Sequence, residues 1–383
     1  MTTLLAVLGV CFAGTLGGAA FVAWRTWPKA WVRWLRAAFF VVAVCSCAGV
    51  GLGLAQGGHA GVLLGIGFLF PLLASSGLLF GSSLFWAPAA KASEPTPNRS
   101  RRVFLGRAAV AVPFATASTG PVGATGAALG PVLRVHELEY EGLHPDLDGL
   151  SILQLSDVHL GPFVGVDQVT RALDLARPHR PELIVLTGDV ADDYALLEPA
   201  LLEVQRFGAA LGAFGVFGNH ENALGREAAA EIYRRTKVSL LVREGTLVQR
   251  GQANIWIAGS DDPAGKFMVD FHRKVVDLAL EGRPADVDFD VLLSHRPGGF
   301  VAAKERGIKL TLAGHTHGLQ VALFGRSVLE PLFPDAYLLG LYREGESVLY
   351  TSAGLGHWVP FRVNCPCEAT ILTLRIKGRG RRN

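Results

Sequence analysis

The chain begins with three long apolar runs and then changes to short alternating segments. The runs span residues 4–24, 37–56 and 61–86, and none of them contains Asp, Glu, Lys or Arg. Each has about the ~20 residues that an α-helix needs to cross the hydrocarbon core of a bilayer. We therefore expect three transmembrane helices. They should anchor and orient the chain rather than form a pore, because no charged residue within them marks a transport path.

A fourth, weaker apolar segment covers about residues 108–129. It follows Ser100-Arg101-Arg102-Val103-Phe104-Leu105, which resembles a twin-arginine export signal placed inside the chain. A plain basic flank before a fourth membrane helix explains the same residues equally well. The tripeptide Ala115-Thr116-Ala117 offers a cleavage site under the first interpretation, so whether this segment stays attached is open.

Charge divides the chain at the same place. Residues 1–131 hold nine Lys or Arg and one acid, Glu94, whereas residues 132–383 hold 27 basic and 32 acidic residues. Basic loops between membrane helices face the cytoplasm, which puts everything after residue 131 on the outer side. We expect a multi-pass protein of a bacterial inner (cytoplasmic) membrane with an extracytoplasmic domain over 132–383. That acidic domain gives no electrostatic argument for binding nucleic acid.

From residue 132 onward, short β-rich runs alternate with amphipathic stretches, which is typical of layered α/β or α+β folds. Asp167 is expected to cap a helix that runs to about Arg177, ahead of Pro178, and a second helix fits Leu196–Phe207. Strands are predicted at Ile152–Leu155, Leu183–Leu186, Ala213–Phe217, Val238–Val242, Ile255–Ala258, Phe289–Leu293 and Lys309–Leu312.

Five of these strands stop at polar residues that can bind metal ions. Glycines beside them allow tight turns and close approach of a ligand to the backbone. Strand ends are where sites form in α/β sheets. The clusters are Asp157-Val158-His159, Gly188-Asp189, Gly218-Asn219-His220-Glu221, Ser294-His295 and Gly314-His315-Thr316-His317.

Counting the donors defines a candidate metal site. Seven ligands are too many for one ion, and their mixture of oxygen and nitrogen suits Mn²⁺, Fe²⁺ or Zn²⁺ better than Ca²⁺ or Mg²⁺. Two ions ~3.5–4 Å apart and bridged by a carboxylate polarise a phosphoryl oxygen and generate hydroxide near neutral pH, so the implied chemistry is hydrolysis of a phosphate ester. The donors are Asp157, His159, Asp189, Asn219, His295, His315 and His317.

The ordered series of these motifs resembles the calcineurin-like metallophosphoesterase superfamily over roughly residues 150–375. More narrowly, it is similar to the membrane-associated, bacterial phosphodiesterase branch of that superfamily. The resemblance implies a four-layer α/β/β/α sandwich, here preceded by the α-helical transmembrane region. Cys367 departs from the family pattern, which usually has proline before the glutamate at that position.

The resemblance also implies a role for each site residue. Asp157, His159 and His317 would hold one divalent metal ion, and Asn219, His295 and His315 would hold the other. Asp189 would bridge the two ions. His220 would not be a ligand. It would contact the phosphate and protonate the leaving oxygen, which needs an imidazole whose pKa is close to neutral.

These observations favour a membrane-anchored, dinuclear-metal phosphodiesterase acting on a phosphorylated lipid or another cell-envelope component. A phosphomonoesterase is the nearest alternative. If the domain instead faces the cytoplasm, a pyrophosphatase acting on nucleotide-linked lipids becomes the better hypothesis. A catalytically silent scaffold of the same fold is the alternative from another class of protein.

Some residues near the motifs keep two interpretations. Asp192, Asp193, Asp261 and Asp262 are either partners that orient the ligating histidines or solvated loop acids. His357 is either a loop residue or a substrate contact. A disulfide between Cys365 and Cys367 is disfavoured, because a bridge across one intervening residue is strained.

Overall fold

A computed structural model describes residues 126–127, 129–263, 269–357 and 360–378. The chain divides into a unit of residues 1–128 and 359–363 and a unit of residues 129–358 and 364–383. The described residues of the first unit are 126–127 and 360–363, and every strand and α-helix named below belongs to the second unit.

The described part of the second unit contains fourteen strands and six α-helices. The strands are β1 (Val132–Tyr140), β2 (Ser151–Leu155), β3 (Leu183–Thr187), β4 (Ala213–Val216), β5 (Val238–Leu240), β6 (Glu244–Arg250), β7 (Ala253–Gly259), β8 (Phe289–Leu293), β9 (Leu310–Ala313), β10 (Ala322–Leu323), β11 (Arg326–Ser327), β12 (Gly340–Glu344), β13 (Ser347–Thr351) and β14 (Glu368–Ile376). The helices are α1 (Val166–Ala176), α2 (Leu197–Phe207), α3 (Asn219–Leu224), α4 (Arg226–Arg234), α5 (Val269–Ala279) and α6 (Gly299–Glu305).

Twelve of the strands form two six-stranded sheets. The first sheet has the order β1-β14-β2-β3-β4-β5, and the second has the order β12-β13-β9-β8-β7-β6. Within the first sheet β2, β3, β4 and β5 are parallel, and within the second β7, β8, β9 and β13 are parallel. Parallel neighbours place their carboxyl ends at one edge of each sheet, which is where the candidate ligands follow.

The central strands are buried at every position on both faces, so they are mostly apolar instead of alternating. Side chains from both sheets, such as Val185 and Val291, form the core between the sheets. Leu186 and its neighbours pack on the outer face of the first sheet against α1, α2 and α4, and Trp256 packs among residues of α5 and α6. The layers are therefore helix, sheet, sheet and helix, and the predicted α/β/β/α sandwich is confirmed.

The sequence also predicted the start of α1, and this detail is wrong. Gly165 is the N-cap, and Asp167 lies inside the first turn, where its carboxylate contacts Arg171 at 2.9 Å. Asp167 still stabilises the helix, because a negative charge in the first turn interacts favourably with the helix dipole.

The predicted membrane spans 4–24, 37–56 and 61–86, the twin-arginine-like motif and most of segment 108–129 lie outside the described residues. Among the residues that are described, no helix combines the length and apolar character that crossing a bilayer requires.

Candidate metal centre

All eight residues predicted for the site lie in loops or helix starts that directly follow the carboxyl ends of five strands. Asp157 and His159 follow β2, and Asp189 follows β3. Asn219 and His220 open α3 after β4, His295 follows β8, and His315 and His317 follow β9. The fold brings all eight into one cluster, although they are spread over 161 positions of the chain.

The ligand atoms form two neighbouring groups. In the first, His317 Nε2 lies 3.4 Å from Asp157 Oδ1 and 3.1 Å from His159 Nε2. In the second, His295 Nε2 lies 3.0 Å from Asn219 Oδ1 and 3.2 Å from His315 Nδ1. Nitrogen and oxygen atoms that could each hold a cation therefore converge at two adjacent points.

Asp189 lies between the two groups. Its Oδ2 is 3.3 Å from His295 Nε2 in the second group and 3.8 Å from His159 Nε2 in the first. Its other oxygen, Oδ1, accepts a hydrogen bond from the backbone N–H of His220 at 2.9 Å. One carboxylate oxygen is thus within reach of both groups.

The backbone at the ligands is unusual. Asp157, His159, Asp189, His315 and His317 all have positive φ, between 48° and 70°. Positive φ is uncommon outside glycine and persists only where the surrounding structure enforces it, and such residues concentrate at functional sites. Five of the seven predicted ligands share this feature.

Glycine at 314 lets the backbone approach the first group closely. A Cβ atom there would lie 2.0 Å from Asp157 Oδ2, which is far inside van der Waals contact. Asp157 also accepts backbone hydrogen bonds from His315 at 2.9 and 3.0 Å, so the loops after β2 and β9 are joined at this point.

Burial and neighbouring charges shift the pKa values of the cluster in opposite directions. Burial raises the pKa of Asp157. Burial also acts to raise the pKa of Asp189, but the adjacent His295 outweighs it and lowers that pKa overall. Burial alone would lower the pKa of His295, yet the Asp189 carboxylate raises it to about 10.

His315 is the contrasting imidazole. Burial, together with the positive charges of His295 and Arg296, lowers its pKa to about 3. Nη1 of Arg296 lies 2.7 Å from Nε2 of His315, so Nδ1 is the nitrogen that faces the second group.

Three further contacts orient the histidines. His159 Nδ1 lies 3.2 Å from Asp192 Oδ2, and His295 Nδ1 lies 2.9 Å from the carbonyl oxygen of Thr187, so each ring turns its Nε2 toward the cluster. Asp192 also lies 2.6 Å from Nδ1 of His220. Burial alone would lower the pKa of His220, but the hydrogen bond to Asp192 raises it.

The sequence alone indicated no role for Glu221. In the structure it accepts hydrogen bonds from the backbone of two loops that carry site residues. Its buried carboxylate accepts hydrogen bonds from the backbone N–H groups of Asp189 at 3.0 Å, Val190 at 2.7 Å and Gly218 at 2.8 Å. It therefore joins the loop that carries Asp189 to the start of α3. The only sequence signal was an acid three residues into a helix, a position where Glu often caps.

The sequence allowed two interpretations for Asp192, Asp193, Asp261 and Asp262. In the structure these four acids lie in different environments. Asp261 and Asp262 are buried and pair with arginines, Asp261 with Arg243 and Asp262 with Arg296, whose contact to His315 links Asp262 to the cluster. Asp192 contacts His159 and His220 directly. Asp193 is exposed and accepts a hydrogen bond from its own loop.

The cysteines and His357 lie beside the cluster. Cys365 and Cys367 are buried. Nδ1 of His357 lies 3.7 Å from Sγ of Cys367, and His357 is itself buried, so a role in contacting substrate stays a prediction.

The donor set fits divalent metal ions. Three sets of three side chains each bring their ligand atoms within 4.8 Å of one another. The sets are Asp157-His159-His317, His159-Asp192-His220 and Asp189-His295-His315. Convergent imidazole nitrogens with carboxylate oxygens suit Mn²⁺, Fe²⁺ or Zn²⁺. The carboxylate–histidine contacts behind them match the outer partners that hold ligating rings in one orientation.

Comparison with known proteins agrees with this chemistry. A family model described as calcineurin-like phosphoesterase matches residues 150–319. The chain is 25% identical over 254 residues to an uncharacterized metallophosphoesterase, YkuE, of Bacillus subtilis, covering 63% of this chain and 84% of that protein. It is 29% identical over 231 residues to the phosphodiesterase YaeI of Escherichia coli, covering 58% of this chain and 81% of that protein.

A longer relative adds the membrane to the comparison. The chain is 30% identical over 299 residues to a transmembrane protein with metallophosphoesterase domain from Bos taurus, covering 73% of this chain and 64% of that protein. The alignment thus spans less than two thirds of the cattle protein. The family match over residues 150–319 and these relatives show that this part of the chain is similar to calcineurin-like phosphoesterases, which supports a hydrolase acting on phosphate esters.

Proposed function

We propose that the chain is a membrane-anchored, dinuclear-metal phosphodiesterase. Residues 1–131 would form the membrane region and residues 132–383 the catalytic domain. The observation that carries the proposal is the position of Asp189, whose Oδ2 lies within 3.8 Å of a ring nitrogen from each ligand group. A carboxylate in that position is suited to bridging two cations.

Seven side chains would hold the two ions. When bound, such a pair supplies Lewis acidity toward a phosphoryl oxygen and lowers the pKa of water. Asp157, His159 and His317 would bind one ion, and Asn219, His295 and His315 the other, with Asp189 shared.

His220 would contact the phosphate and protonate the leaving oxygen. Its Nδ1 is fixed by Asp192 at 2.6 Å, which directs Nε2 toward the cluster, and its side chain is 23% exposed. A ring that is held from behind and open in front can both meet a substrate and move a proton.

The activity is tested with the purified full chain in detergent, loaded with Mn²⁺ and given an aryl phosphodiester and the matching monoester. We expect faster turnover of the diester, and a loss of at least about 100-fold in Asp189→Ala and in His295→Ala. Leu247→Ser, at an exposed position on the edge strand β6, is the control. Full activity in both site variants would refute the mechanism, and preferred turnover of the monoester would make the chain a phosphomonoesterase.

The membrane part of the proposal is supported by the three uncharged apolar runs and by relatives from cattle and zebrafish that are described as transmembrane proteins. The catalytic domain would face outward from a bacterial inner membrane, where its substrate would be a phosphorylated lipid or another envelope component. A reporter enzyme that works only outside the cytoplasm should be active when it is fused after residue 383. A cytoplasmic reporter would contradict this orientation and favour a pyrophosphatase acting on nucleotide-linked lipids.

A further inference from the structure

One short segment beside the metal centre exposes most of the apolar side chains of the described surface. We call residues 319–333 the apolar segment. Seven of the twelve large hydrophobic side chains that are exposed in the described residues belong to it: Leu319, Leu323, Phe324, Val328, Leu329, Leu332 and Phe333. Single exposed hydrophobic residues are normal on soluble proteins, whereas a concentration of them marks an interaction surface.

The apolar segment has a defined conformation. The short antiparallel pair of β10 and β11 forms its centre, and Val328 donates a backbone hydrogen bond to Val321 at 3.2 Å. Between the exposed positions, Ala322 is buried in a small core with Leu339 and Cys365. The fold therefore buries Ala322 and Ser327 and turns seven large hydrophobic side chains outward, with Phe324 93% exposed and Leu332 70% exposed.

The same segment is continuous with the metal centre. His317 begins a 3₁₀ element, His317–Gln320, that also contains Leu319. Sγ of Cys365, which packs in the core under the segment, lies 3.4 Å from the carbonyl oxygen of His317. A partner that covers the apolar segment would therefore sit next to the proposed ligands.

The charge of the segment indicates what kind of partner fits. Its only ionisable residues are Arg326 and Glu330, and Arg326 Nη1 lies 3.2 Å from Glu330 Oε1. The ion pair leaves no net charge, so the surface offers apolar area without an electrostatic preference. Hydrocarbon matches that surface better than a nucleic acid or a highly charged protein does.

We propose that the apolar segment inserts into the acyl-chain region of a lipid bilayer and so places the metal centre at the headgroup level. Phe324 and Leu332, the two most exposed large side chains of the segment, would enter deepest. The proposal rests on the membrane attachment in the proposed function, in which the uncharged runs before residue 87 would keep the chain at a bilayer. It does not depend on hydrolysis.

A photo-crosslinking experiment tests this contact in the full chain. Benzoylphenylalanine is installed at Phe324 or at Leu332, and the chain is reconstituted into nanodiscs of phosphatidylethanolamine and phosphatidylglycerol. The control carries the same probe at Leu247, which is 40% exposed on β6 and lies outside the apolar segment. After irradiation, mass spectrometry identifies what each probe has bound.

We expect lipid adducts at Phe324 and Leu332 in roughly tenfold excess over Leu247, because the probes in the apolar segment would lie among acyl chains and the probe on β6 would stay in water. Equal lipid yields at the three positions would overturn the proposal. Adducts to a peptide of residues 1–125, or to a second copy of the chain, would overturn it in favour of a protein partner. A chain that fails to enter nanodiscs and forms no adduct would contradict the membrane attachment as well, whereas loss of turnover alone would bear only on catalysis.

Discussion

The loops of the metal centre and the apolar segment adjoin each other, yet the chain treats their side chains in opposite ways. At the metal centre, polar side chains are buried or half-buried and are held by partners, as Asp192 holds His159 and the carbonyl oxygen of Thr187 holds His295. In the apolar segment, hydrophobic side chains are exposed and only the small residues between them are buried. Polar groups inside and apolar groups outside both reverse the usual rule, and both cost stability unless a ligand or partner compensates.

The two regions are expected to have separate roles, the metal centre in the reaction and the apolar segment in contact with lipid. Substitutions at the metal centre should abolish metal binding and turnover without changing contact with lipid. Substitutions in the apolar segment should have the reverse effect. Four predictions, in order of decreasing effect, test this separation.

The largest effect is expected from removing the shared carboxylate. Asp189→Ala should reduce the metal content measured by inductively coupled plasma mass spectrometry from two equivalents per chain to one or fewer, with at least a ~100-fold loss of diesterase activity. The reason is that Asp189 is within reach of both groups of ligand atoms. Retention of two equivalents would show that Asp189 does not bridge.

A smaller loss is expected from the residue behind the ligands. Asp192→Asn keeps the shape of the side chain but weakens its contacts with His159 and His220, so metal affinity should fall by about 10–100-fold. Titration with Mn²⁺ followed by calorimetry measures the change. Asp193→Asn is the matched control, because Asp193 is exposed and its carboxylate accepts a hydrogen bond from the backbone N–H of Ala195, in its own loop. Equal affinities of the two variants would exclude an orienting role for Asp192.

Glu221, which joins the loop of Asp189 to the start of α3, should contribute to the free energy of unfolding. Glu221→Gln replaces one acceptor oxygen with an NH2 group that donates and cannot accept, so at least one buried backbone N–H loses its partner. We expect the free energy of unfolding to fall by about 1–3 kcal/mol, measured by urea denaturation. Glu227→Gln, at an exposed position in the first turn of α4, should be nearly neutral. An unchanged free energy of unfolding in Glu221→Gln would show that the hydrogen bonds of Glu221 do not stabilise the fold.

The apolar segment should affect only substrates presented in a membrane. The double variant Phe324→Ser with Leu332→Ser should turn over a soluble aryl diester at the normal rate. Its KM for a phosphodiester lipid in vesicles should rise about tenfold, because two apolar anchors are lost. The ratio of the two KM values is the readout. A parallel loss on both substrates would assign the segment to the metal centre itself.

The candidate site was largely readable from the sequence because its signals are local. Each ligand directly follows a strand, and parallel strands must bring their carboxyl ends together, so the order Asp157 to His317 was sufficient to predict one cluster. The strands themselves were visible because central strands of such a sandwich are continuous apolar runs.

What the sequence did not reveal depends on distant contacts. β1 pairs with β14 across more than 200 residues, and both have partners that no local pattern specifies. The brace formed by Glu221 and the ion pair of Asp262 with Arg296 also exist only after the loops meet. The exposure of Phe324 is a third case, because an apolar run reads as core until the fold leaves it uncovered.

The measurement closest to the central claim is anomalous X-ray diffraction from crystals of the full chain loaded with Mn²⁺. We expect two anomalous peaks ~3.5–4 Å apart. Asp189 should lie between them, with Asp157, His159 and His317 around one peak and Asn219, His295 and His315 around the other. A single peak, or two peaks with Asp189 turned away from either ion, would contradict it.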